Sequence, residues 1–188
     1  MRAARQVRPT VIFLENVVGF IKYLPLLAND FQELGYYFNW SQINSNILWV
    51  QSRPRIYMIA SLGKQFEFRP IRSCPVDCRL ILETEAKFRY PSETAWTWLQ
   101  KRKAAGHTGK WGYQEVNRYC PTLTTKNDRI FVNQRYLTLN ELKQIQGFPI
   151  NFQFPVSRTQ AEKQIGNSVC VPVVEHLAVD IALQFFSK

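Results

Sequence analysis

A short apolar run near the start of the chain predicts a buried strand. Residues 10–14 (Thr-Val-Ile-Phe-Leu) are unbroken, apolar and rich in β-branched types. This pattern is typical of a strand covered on both faces, as in a parallel α/β sheet. The run ends at two polar residues, Glu15 and Asn16. Because ligands of open α/β sheets lie beyond the carboxyl ends of strands, we expect functional groups there.

The next apolar positions predict one helix and two further strands. Leucine and phenylalanine recur at helical spacing over residues 24–34, and Gly35 is placed to end that helix. Residues 36–40 and 55–61 are the following strand candidates, separated by a polar stretch. A helix followed by two closely spaced strands favours the last part of a doubly wound α/β sheet.

The regular pattern is then lost and returns near the C-terminus. Residues 62–119 are rich in Arg, Lys, Pro and aromatic residues, which predicts a separate, irregular module. A capping box at residues 138–141 predicts a short helix that Gly147 ends. Either Asn167 or Ser168 is placed to cap a final helix with an apolar stripe of Val174, Leu177, Ile181 and Phe185.

Composition excludes disorder and favours a polyanionic partner. The 188 residues are 46% hydrophobic, which is enough for a core. The 24 Lys and Arg against 14 Asp and Glu give a formal net charge of +10. Nucleic acid is the commonest partner of so basic a chain, and a solvated basic surface without a dedicated partner is the alternative.

The cysteine and histidine content argues against a metal site. Four cysteines and two histidines are present, and only Cys74 and Cys78 lie close together. These residues provide too few suitably spaced ligands for a structural zinc ion, so we predict that the chain binds no metal and that its cysteines are reduced. Without a signal-peptide core or an apolar stretch of membrane-spanning length, we expect a cytoplasmic location and no membrane partner.

Four polar clusters stand in succession along the chain. They are Glu-Asn-Val at 15–17, Gln-x-Arg-x-Arg at 51–55, Arg-x-Leu-Thr-x-x-Glu with Gln-Gly-Phe-Pro across 135–149, and Gly-Asn-Ser-Val at 166–169. Taken singly, each has an ordinary explanation as a helix cap or an exposed basic turn. Their occurrence in this order is very unlikely by chance, so together they indicate a common function.

This series resembles the later conserved motifs of the cytosine-5 DNA methyltransferases. Pro-Thr-Leu-Thr-Thr at 121–125 matches as well, and the resemblance runs from about Arg8 to the C-terminus. It implies an α/β fold: the C-terminal part of a doubly wound methyltransferase sheet, with a small, irregular, β-rich target-recognition domain. The implied division is residues 1–61 for half of the catalytic domain, 62–150 for recognition and 151–188 for a segment packing back on the catalytic domain.

The resemblance assigns roles around a cytosine flipped out of the DNA stack. In this family a cysteine thiolate adds to C6, and C5 then takes a methyl group from S-adenosylmethionine. Glu15 would act as a proton donor toward N3, and Asn16 would orient the local backbone. Arg55 would reach the cytosine O2, and Arg53 would support the catalytic loop or a phosphate, both suited to a fixed guanidinium fork.

The remaining implied site residues bind the cofactor and the DNA. Asn167 and Ser168 would contribute to the S-adenosylmethionine pocket. The recognition region would enter the major groove of double-stranded DNA, where base pairs present distinct donor and acceptor patterns. The candidate DNA-contacting residues are Gln51, Thr122, Leu123, Arg135, Lys101, Arg102 and Lys103. We expect tryptophans 96, 98 and 111 to form the core of this module more readily than to stack on bases.

The chain departs from the family pattern in what it lacks. It has neither a Phe-x-Gly-x-Gly cofactor loop nor a Pro-Cys-Gln nucleophile segment, and no cysteine present is assigned as nucleophile. The family's glycine and proline shortly before Gln51 are also absent. Without the first strands of the sheet, the strand at residues 10–14 would have an open apolar edge. The expected partner is therefore a complementary methyltransferase chain or an N-terminal portion.

Three functions stay open at this point. The first is a DNA (cytosine-5)-methyltransferase portion of a restriction–modification system, inactive alone and completed by a part that carries the cysteine. The second is a non-catalytic DNA-binding remnant of such an enzyme. The third, which the basic, tryptophan-containing insert disfavours, is methylation of RNA, the activity of a minority branch of the family.

Overall fold

The computed structural model describes residues 1–107, 114–127 and 130–187. Its helices are α1 (Arg2–Val7), α2 (Leu24–Glu33), α3 (Glu93–Ala104), α4 (Leu139–Gln146), α5 (Arg158–Asn167) and α6 (Val171–Phe185). Its strands are β1 (Val11–Val17), β2 (Tyr37–Asn44), β3 (Pro54–Ser61), β4 (Gln114–Glu115), β5 (Ile130–Val132) and β6 (Arg135–Tyr136).

These elements form two compact units. Unit 1 comprises Met1–Asn44, Pro54–Arg72 and Glu175–Lys188. Unit 2 comprises Ser45–Arg53 and Ser73–Val174. The three-part functional division predicted above, 1–61, 62–150 and 151–188, stays a prediction.

Unit 1 is built on a three-stranded sheet with β3 at its centre. β1 pairs with one edge of β3 and β2 with the other, both antiparallel. Five consecutive residues of β3, from Ile56 to Ala60, are at most 2% exposed. Side chains alternate between the two faces of a strand, so β3 is covered on both faces.

The structure corrects the prediction for β1. The burial expected for residues 10–14 is found in β3 instead, because β1 is half-buried and Val17 at its end is 53% exposed. Among the described residues β1 pairs only antiparallel, so the expected parallel arrangement is not found there. The strand also continues through Glu15 and Asn16, because β3 pairs with it as far as Val17.

Helix α2 confirms the predicted helix almost to the residue. It begins at Leu24 with Pro in its first turn, where a missing backbone N–H costs nothing. Phe31 is 2% exposed and packs in one cluster with Leu27 and Leu34, the predicted stripe. Gly35 follows the helix with a φ of 78°, a left-handed conformation that glycine adopts without strain.

Unit 2 contains a smaller sheet of three short strands. β4 pairs parallel with β5, and β5 pairs antiparallel with β6. Asn133 and Gln134 connect β5 to β6 with φ angles of 46° and 67°, the positive values that a tight two-residue hairpin requires. Phe131 of β5 is fully buried and contacts Trp96 and Tyr136.

Helix α3 of unit 2 was not predicted from the sequence, whereas the start of helix α4 was. The irregular module predicted for residues 62–119 is wrong in one respect, because it contains the twelve-residue helix α3, capped by Ser92 Oγ accepting from the Ala95 N–H at 3.2 Å. The capping box that begins α4 is confirmed. Thr138 Oγ1 accepts from the Glu141 N–H at 3.1 Å, and Glu141 Oε2 accepts from the Thr138 N–H at 2.8 Å.

The same Glu141 holds a buried ion pair with Arg135. Arg135 Nη1 donates to Glu141 Oε2 at 2.9 Å, and Arg135 Nη2 donates to Glu141 Oε1 at 2.7 Å. The side chain of Arg135 is 6% exposed and that of Glu141 is 0% exposed. Glu141 Oε1 also accepts from the Glu83 N–H at 2.9 Å. One carboxylate therefore joins the β6 strand, the start of α4 and a preceding loop.

The predicted cap of the final helix is wrong. Asn167 is the last residue of α5 and Ser168 follows it with extended backbone, whereas α6 begins later, at Val171. The sequence Gly-Asn-Ser-Val thus forms the turn between two helices. In the predicted α6 stripe Leu177 is buried, and Ile181 is among the half-buried members.

Candidate base-binding and cofactor-binding residues

Glu15 and Arg55 meet on one face of the unit 1 sheet. Val17 of β1 is paired with Arg55 of β3, and Glu15 is paired with Tyr57, so the two charged residues are diagonal cross-strand neighbours. Arg55 Nε lies 3.1 Å from Glu15 Oε1, with side chains 13% and 19% exposed. Glu15 Oε1 has no aligned hydrogen bond among the described residues. Arg55 is held in this position by a second bond, from its Nη1 to the Pro54 carbonyl at 2.8 Å.

Asn16 acts locally at the end of β1. Its Oδ1 accepts from the Val17 N–H at 2.8 Å. The chain then enters a short 3₁₀ helix, Val18–Tyr23. The side chain thus helps to shape the exit from the strand that carries Glu15.

Arg53 is buried in unit 2 and bonded to three backbone carbonyls. Its Nη1 donates to the Leu123 carbonyl at 2.8 Å, and its Nη2 donates to those of Ser168 and Gly166 at 2.8 and 3.2 Å. The residue is 3% exposed. These bonds give its guanidinium an internal function, and the predicted contact with a catalytic loop or phosphate stays a prediction.

Gln51 is fully buried in the same unit. Its Nε2 donates to Gln146 Oε1 at 3.0 Å, and its carbonyl accepts from Ser45 Oγ at 2.6 Å. Gln146 is a residue that sequence reasoning missed. Its position in the Gln-Gly-Phe-Pro motif is the only signal that could have marked it as a site residue.

The predicted cofactor residues lie on the turn after α5. Asn167 is exposed, and no hydrogen bond of its side chain is found among the described residues. Ser168 is half-buried, and its Oγ donates to the Ile165 carbonyl at 2.7 Å. The turn therefore exposes the Asn167 amide, and the Ser168 hydroxyl stabilises the backbone beside it through its bond to the Ile165 carbonyl.

Thr122 and Leu123 lie beside the Gln51–Arg53 segment. Thr122 Oγ1 donates to the Ser52 carbonyl at 2.7 Å. Leu123 is fully buried, and its carbonyl accepts from Arg53. The structure thus brings the Pro-Thr-Leu-Thr-Thr segment into contact with the Gln-x-Arg-x-Arg motif, about seventy residues earlier in the sequence.

Three of the predicted DNA-contacting side chains are inside unit 2. Gln51 and Leu123 are 0% exposed, and Arg135 is 5% exposed and paired with Glu141. Direct contact of these side chains with DNA stays a prediction, and it requires them to become accessible. Their present contacts are with the protein.

The basic residues at the end of α3 are accessible. Lys101 and Lys103 are exposed, and Lys103 Nζ lies 3.9 Å from Glu115 Oε2 in a loose ion pair. Arg102 is half-buried, and its guanidinium lies 5.0 Å from the ring centre of Trp98. Cations at a helix C-terminus are also favoured by the helix dipole.

The tryptophans divide between core and surface. Trp96 packs edge-on against the buried Phe131, with ring centres 5.8 Å apart, so it is part of the core of unit 2. Trp98 is 46% exposed. Trp111 lies outside the described residues. The expectation of a core role therefore holds for Trp96 and not for Trp98.

The four cysteines are free thiols in unit 2. Cys74 is exposed, and the other three are buried. Burial raises the pKa of Cys120 well above its ordinary range, and the neighbouring Cys78 adds to the effect. Burial also raises the pKa of Cys170. Because the thiolate is the nucleophilic form, these two thiols are poor nucleophiles.

The described part of the chain has neither a metal-binding cluster nor a membrane-spanning helix. No group of three or more His, Cys, Asp and Glu side chains is placed there to hold a metal ion. No single described helix is long and apolar enough to cross a membrane, and α5 and α6 reach that limit only when counted together.

Comparison with solved structures identifies the fold. The S. pombe Dnmt2 methyltransferase superposes with a TM-score of 0.74 over 95% of this chain and 68% of that one, at 20% identity. A putative DNA modification methyltransferase encoded in an E. coli prophage gives a TM-score of 0.72 over 97% of this chain and 71% of that one, at 20% identity. The fold is that of a methyltransferase.

Sequence comparison identifies the family. The model of the C-5 cytosine-specific DNA methylases matches residues 1–98 and 84–182. Type II methyltransferase M.MspI of Moraxella sp. is 30% identical over 92% of this chain, and M.NlaX of Neisseria lactamica is 32% identical over 91%. This chain belongs to the C-5 cytosine-specific DNA methylases, which confirms the resemblance found in the motifs.

The chain spans only part of these relatives. The matches cover 46% of M.MspI and 62% of M.NlaX. The family's motifs around Glu15, Arg53, Arg55 and Asn167 are present, whereas its glycine loop and Pro-Cys segment are not.

Proposed function

We propose that this chain supplies the base-binding and target-recognition part of a type II DNA (cytosine-5)-methyltransferase. The complete enzyme would transfer a methyl group from S-adenosylmethionine to C5 of a flipped cytosine within a restriction–modification system. The observation that carries the proposal is the Glu15–Arg55 pair, two groups 3.1 Å apart that suit the polar edge of cytosine. A role in DNA modification also carries the expectation of a cytoplasmic location.

The chemistry explains why such a pair is needed. Cytosine C5 is a weak nucleophile until a thiolate adds to C6 and pushes electron density toward C5 and the ring's N3 and O2. Glu15 would hold a proton at N3, and Arg55 would donate to O2. Fixed donors at the positions where charge develops stabilise the transition state more than the ground state. After methyl transfer to C5, a base would take the C5 proton, the N3 proton would return to Glu15, and the thiolate would leave C6, which restores the ring.

The nucleophile would come from outside these 188 residues. Burial raises the pKa of the Cys120 and Cys170 thiols, which makes both poor nucleophiles. The family's Pro-Cys segment is absent from the sequence. We infer that further polypeptide, in the same chain or in a separate subunit, supplies the thiolate.

Apolar surface on unit 1 supports such a complement. A groove of about 410 Å³ is lined by apolar residues of α1, β1 and α2, among them Ile12, Leu14 and Phe31. On α6, Val179 and Leu183 are 54% and 53% exposed at a spacing of one helical turn. Apolar grooves and exposed apolar helix positions are typical of surfaces that bind another polypeptide. The remainder of the family's α/β domain is the occupant that we propose.

The cofactor would be held partly by this chain. S-adenosylmethionine supplies an electrophilic methyl group when it is bound. The turn after α5 suits a ligand with polar groups such as S-adenosylmethionine. Asn167 lies there with an exposed side-chain amide, which can both donate and accept hydrogen bonds. Asn167 would bind and orient the ligand, and Ser168 would hold the backbone beside it.

The test is reconstitution of methyl transfer. The chain is combined with a polypeptide that carries the family's glycine loop and Pro-Cys segment, and transfer of labelled methyl groups into duplex DNA is measured. In the reconstituted enzyme, Glu15→Gln should lower kcat by about 100-fold or more, the usual size of a general acid–base contribution. Glu33→Gln, an exposed residue of α2 in the same unit, is the matched control and should leave the rate unchanged.

The outcomes separate the two leading functions. No transfer from a folded assembly that binds DNA favours the alternative, a non-catalytic DNA-binding remnant. That alternative is favoured by the exposed basic end of α3, and it predicts salt-dependent DNA binding without a cofactor. Full activity of Glu15→Gln would remove the proposed role of this carboxyl. Methyl transfer to tRNA but not to duplex DNA would replace the substrate.

A further inference from the structure

Two side chains from distant parts of unit 2 donate to one backbone oxygen. The Ser168 carbonyl accepts from Arg53 Nη2 at 2.8 Å and from Gln146 Nε2 at 2.7 Å. Arg53 is 3% exposed and Gln146 is fully buried. A carbonyl oxygen has two lone pairs, so both acceptor positions of this oxygen are used by the protein.

The Arg53 guanidinium also connects this turn to a second segment. Beyond Ser168 it donates to the Gly166 carbonyl at 3.2 Å and to the Leu123 carbonyl at 2.8 Å. The two segments themselves are closely packed, because a Cβ placed on Gly166 would lie 2.0 Å from the Thr124 carbonyl oxygen. One planar cation therefore holds the turn after α5 against the Thr122–Thr124 segment.

Gln146 is itself oriented by a neighbouring amide. Its Oε1 accepts from Gln51 Nε2 at 3.0 Å, which leaves Nε2 facing the Ser168 carbonyl. Because the Ser168 carbonyl can only accept, these two bonds fix the orientation of the Gln146 amide. Lysine could not replace Arg53 here, because a single ammonium does not reproduce the fork that reaches three carbonyls.

We propose that Arg53 and Gln146 are positioning residues that set the backbone of the Gly166–Ser168 turn and thereby the presentation of Asn167 to the cofactor. The identity of that cofactor rests on the proposed function. Neither Arg53 nor Gln146 contacts the cofactor directly in this proposal. They act through the Ser168 carbonyl, and Arg53 in addition ties the cofactor turn to the recognition segment at Leu123.

The first experiment measures amide hydrogen exchange on the 188-residue chain. The reporters are the Ser168 and Thr124 amides, hydrogen bonded to the Gln164 carbonyl at 3.0 Å and to Asn127 Oδ1 at 2.9 Å. Loss of one or two buried hydrogen bonds in Arg53→Lys should lower protection at both sites by about tenfold. Gln146→Met should lower it at Ser168 alone.

The matched control is an arginine that also donates to a backbone carbonyl in unit 2. Arg158 Nη2 donates to the Leu137 carbonyl at 2.9 Å, so Arg158→Lys should leave the Ser168 and Thr124 amides unchanged. Unchanged protection in Arg53→Lys, or an equal loss across all of unit 2, would overturn the assignment. A loss confined to the two reporters supports it.

The second experiment measures binding of S-adenosylhomocysteine to the reconstituted enzyme by calorimetry. Arg53→Lys and Gln146→Met should each raise Kd by about tenfold, with Arg158→Lys unchanged. Because both donors share one oxygen, the double variant should lose less than the product of the single losses. Wild-type binding by variants whose turn amides have lost protection would overturn the positioning role. Absence of binding by the wild type would instead count against the proposed function.

Discussion

Gly166 and Thr124 approach each other so closely that no side chain fits between them. A Cβ on Gly166 would lie 2.0 Å from the Thr124 carbonyl oxygen and 2.2 Å from its carbon. The obstacle is backbone, which cannot rotate away as a flexible side chain would. The glycine of the Gly-Asn-Ser-Val motif is therefore required by packing, in addition to any contact that the motif makes with a ligand.

Gly166→Ala is expected to destabilise the chain. Overpacking a close approach of this kind costs about 1–3 kcal/mol, so the midpoint of urea unfolding should fall. Gly19→Ala is the control, since no atom lies within 4 Å of its added Cβ and its φ lies outside the left-handed region. Its free energy of unfolding should be unchanged or slightly higher. Equal midpoints for wild type and Gly166→Ala would contradict the close packing.

Glu141→Gln is expected to be more severe. It removes the charge that faces the buried Arg135, and breaking one side of a buried pair costs about 3–5 kcal/mol. Glu162→Gln breaks the half-exposed pair with Arg158 and should cost less than about 1 kcal/mol. The comparison is made by urea denaturation of the three proteins. Similar losses for the two variants would show that the buried pair contributes no more than the surface pair.

One cysteine should react far faster than the other three. With a disulfide reagent at about pH 8, exposed Cys74 is expected to be labelled first. Cys120 and Cys170 have pKa values raised by burial, so both stay protonated at this pH and gain reactive thiolate only as the pH rises further. Cys74→Ser should remove the fast phase, and unfolding in denaturant should release the remainder. A fast phase that persists in Cys74→Ser would contradict the burial of the others.

The basic end of α3 should contribute to DNA affinity by neutralising phosphates. Replacing Lys101, Arg102 and Lys103 by Gln should reduce the slope of log Kobs against log salt by roughly 0.9 for each phosphate that the variant leaves unneutralised. Arg2→Gln with Arg5→Gln in α1 is the control, removing basic charge from unit 1 instead. Titrations of labelled duplex DNA at several salt concentrations give both slopes. An unchanged slope in the α3 variant would exclude this helix from the interface.

The sequence predicted local features well wherever one short segment determined them. Helix α2 and the capping box of α4 depend on residues within one or two turns, and both were confirmed. Helix α3 was missed because its apolar positions do not form a clear stripe. Its twelve residues bury only Leu99 and end in Lys101, Arg102 and Lys103, so composition suggested a loop.

Tertiary context decided what the sequence could not. The apolar run at residues 10–14 predicted a strand covered on both faces, but that burial belongs to β3, which lies between two partners. The role of Arg53 was equally hidden, since its acceptors are main-chain atoms of residues 70 to 115 positions away. Main-chain acceptors leave no side-chain signature that a motif could reveal.

Unit 2 is assembled from two stretches of chain, and this affects how the unit could be separated from the rest of the protein. The short stretch, Ser45–Arg53, carries Gln51 and Arg53, whose side chains bond to the long stretch, Ser73–Val174. A fragment that contains only the long stretch would lose the hydrogen bonds that Gln51 and Arg53 donate to it. Isolating unit 2 as a folded fragment would therefore require both stretches.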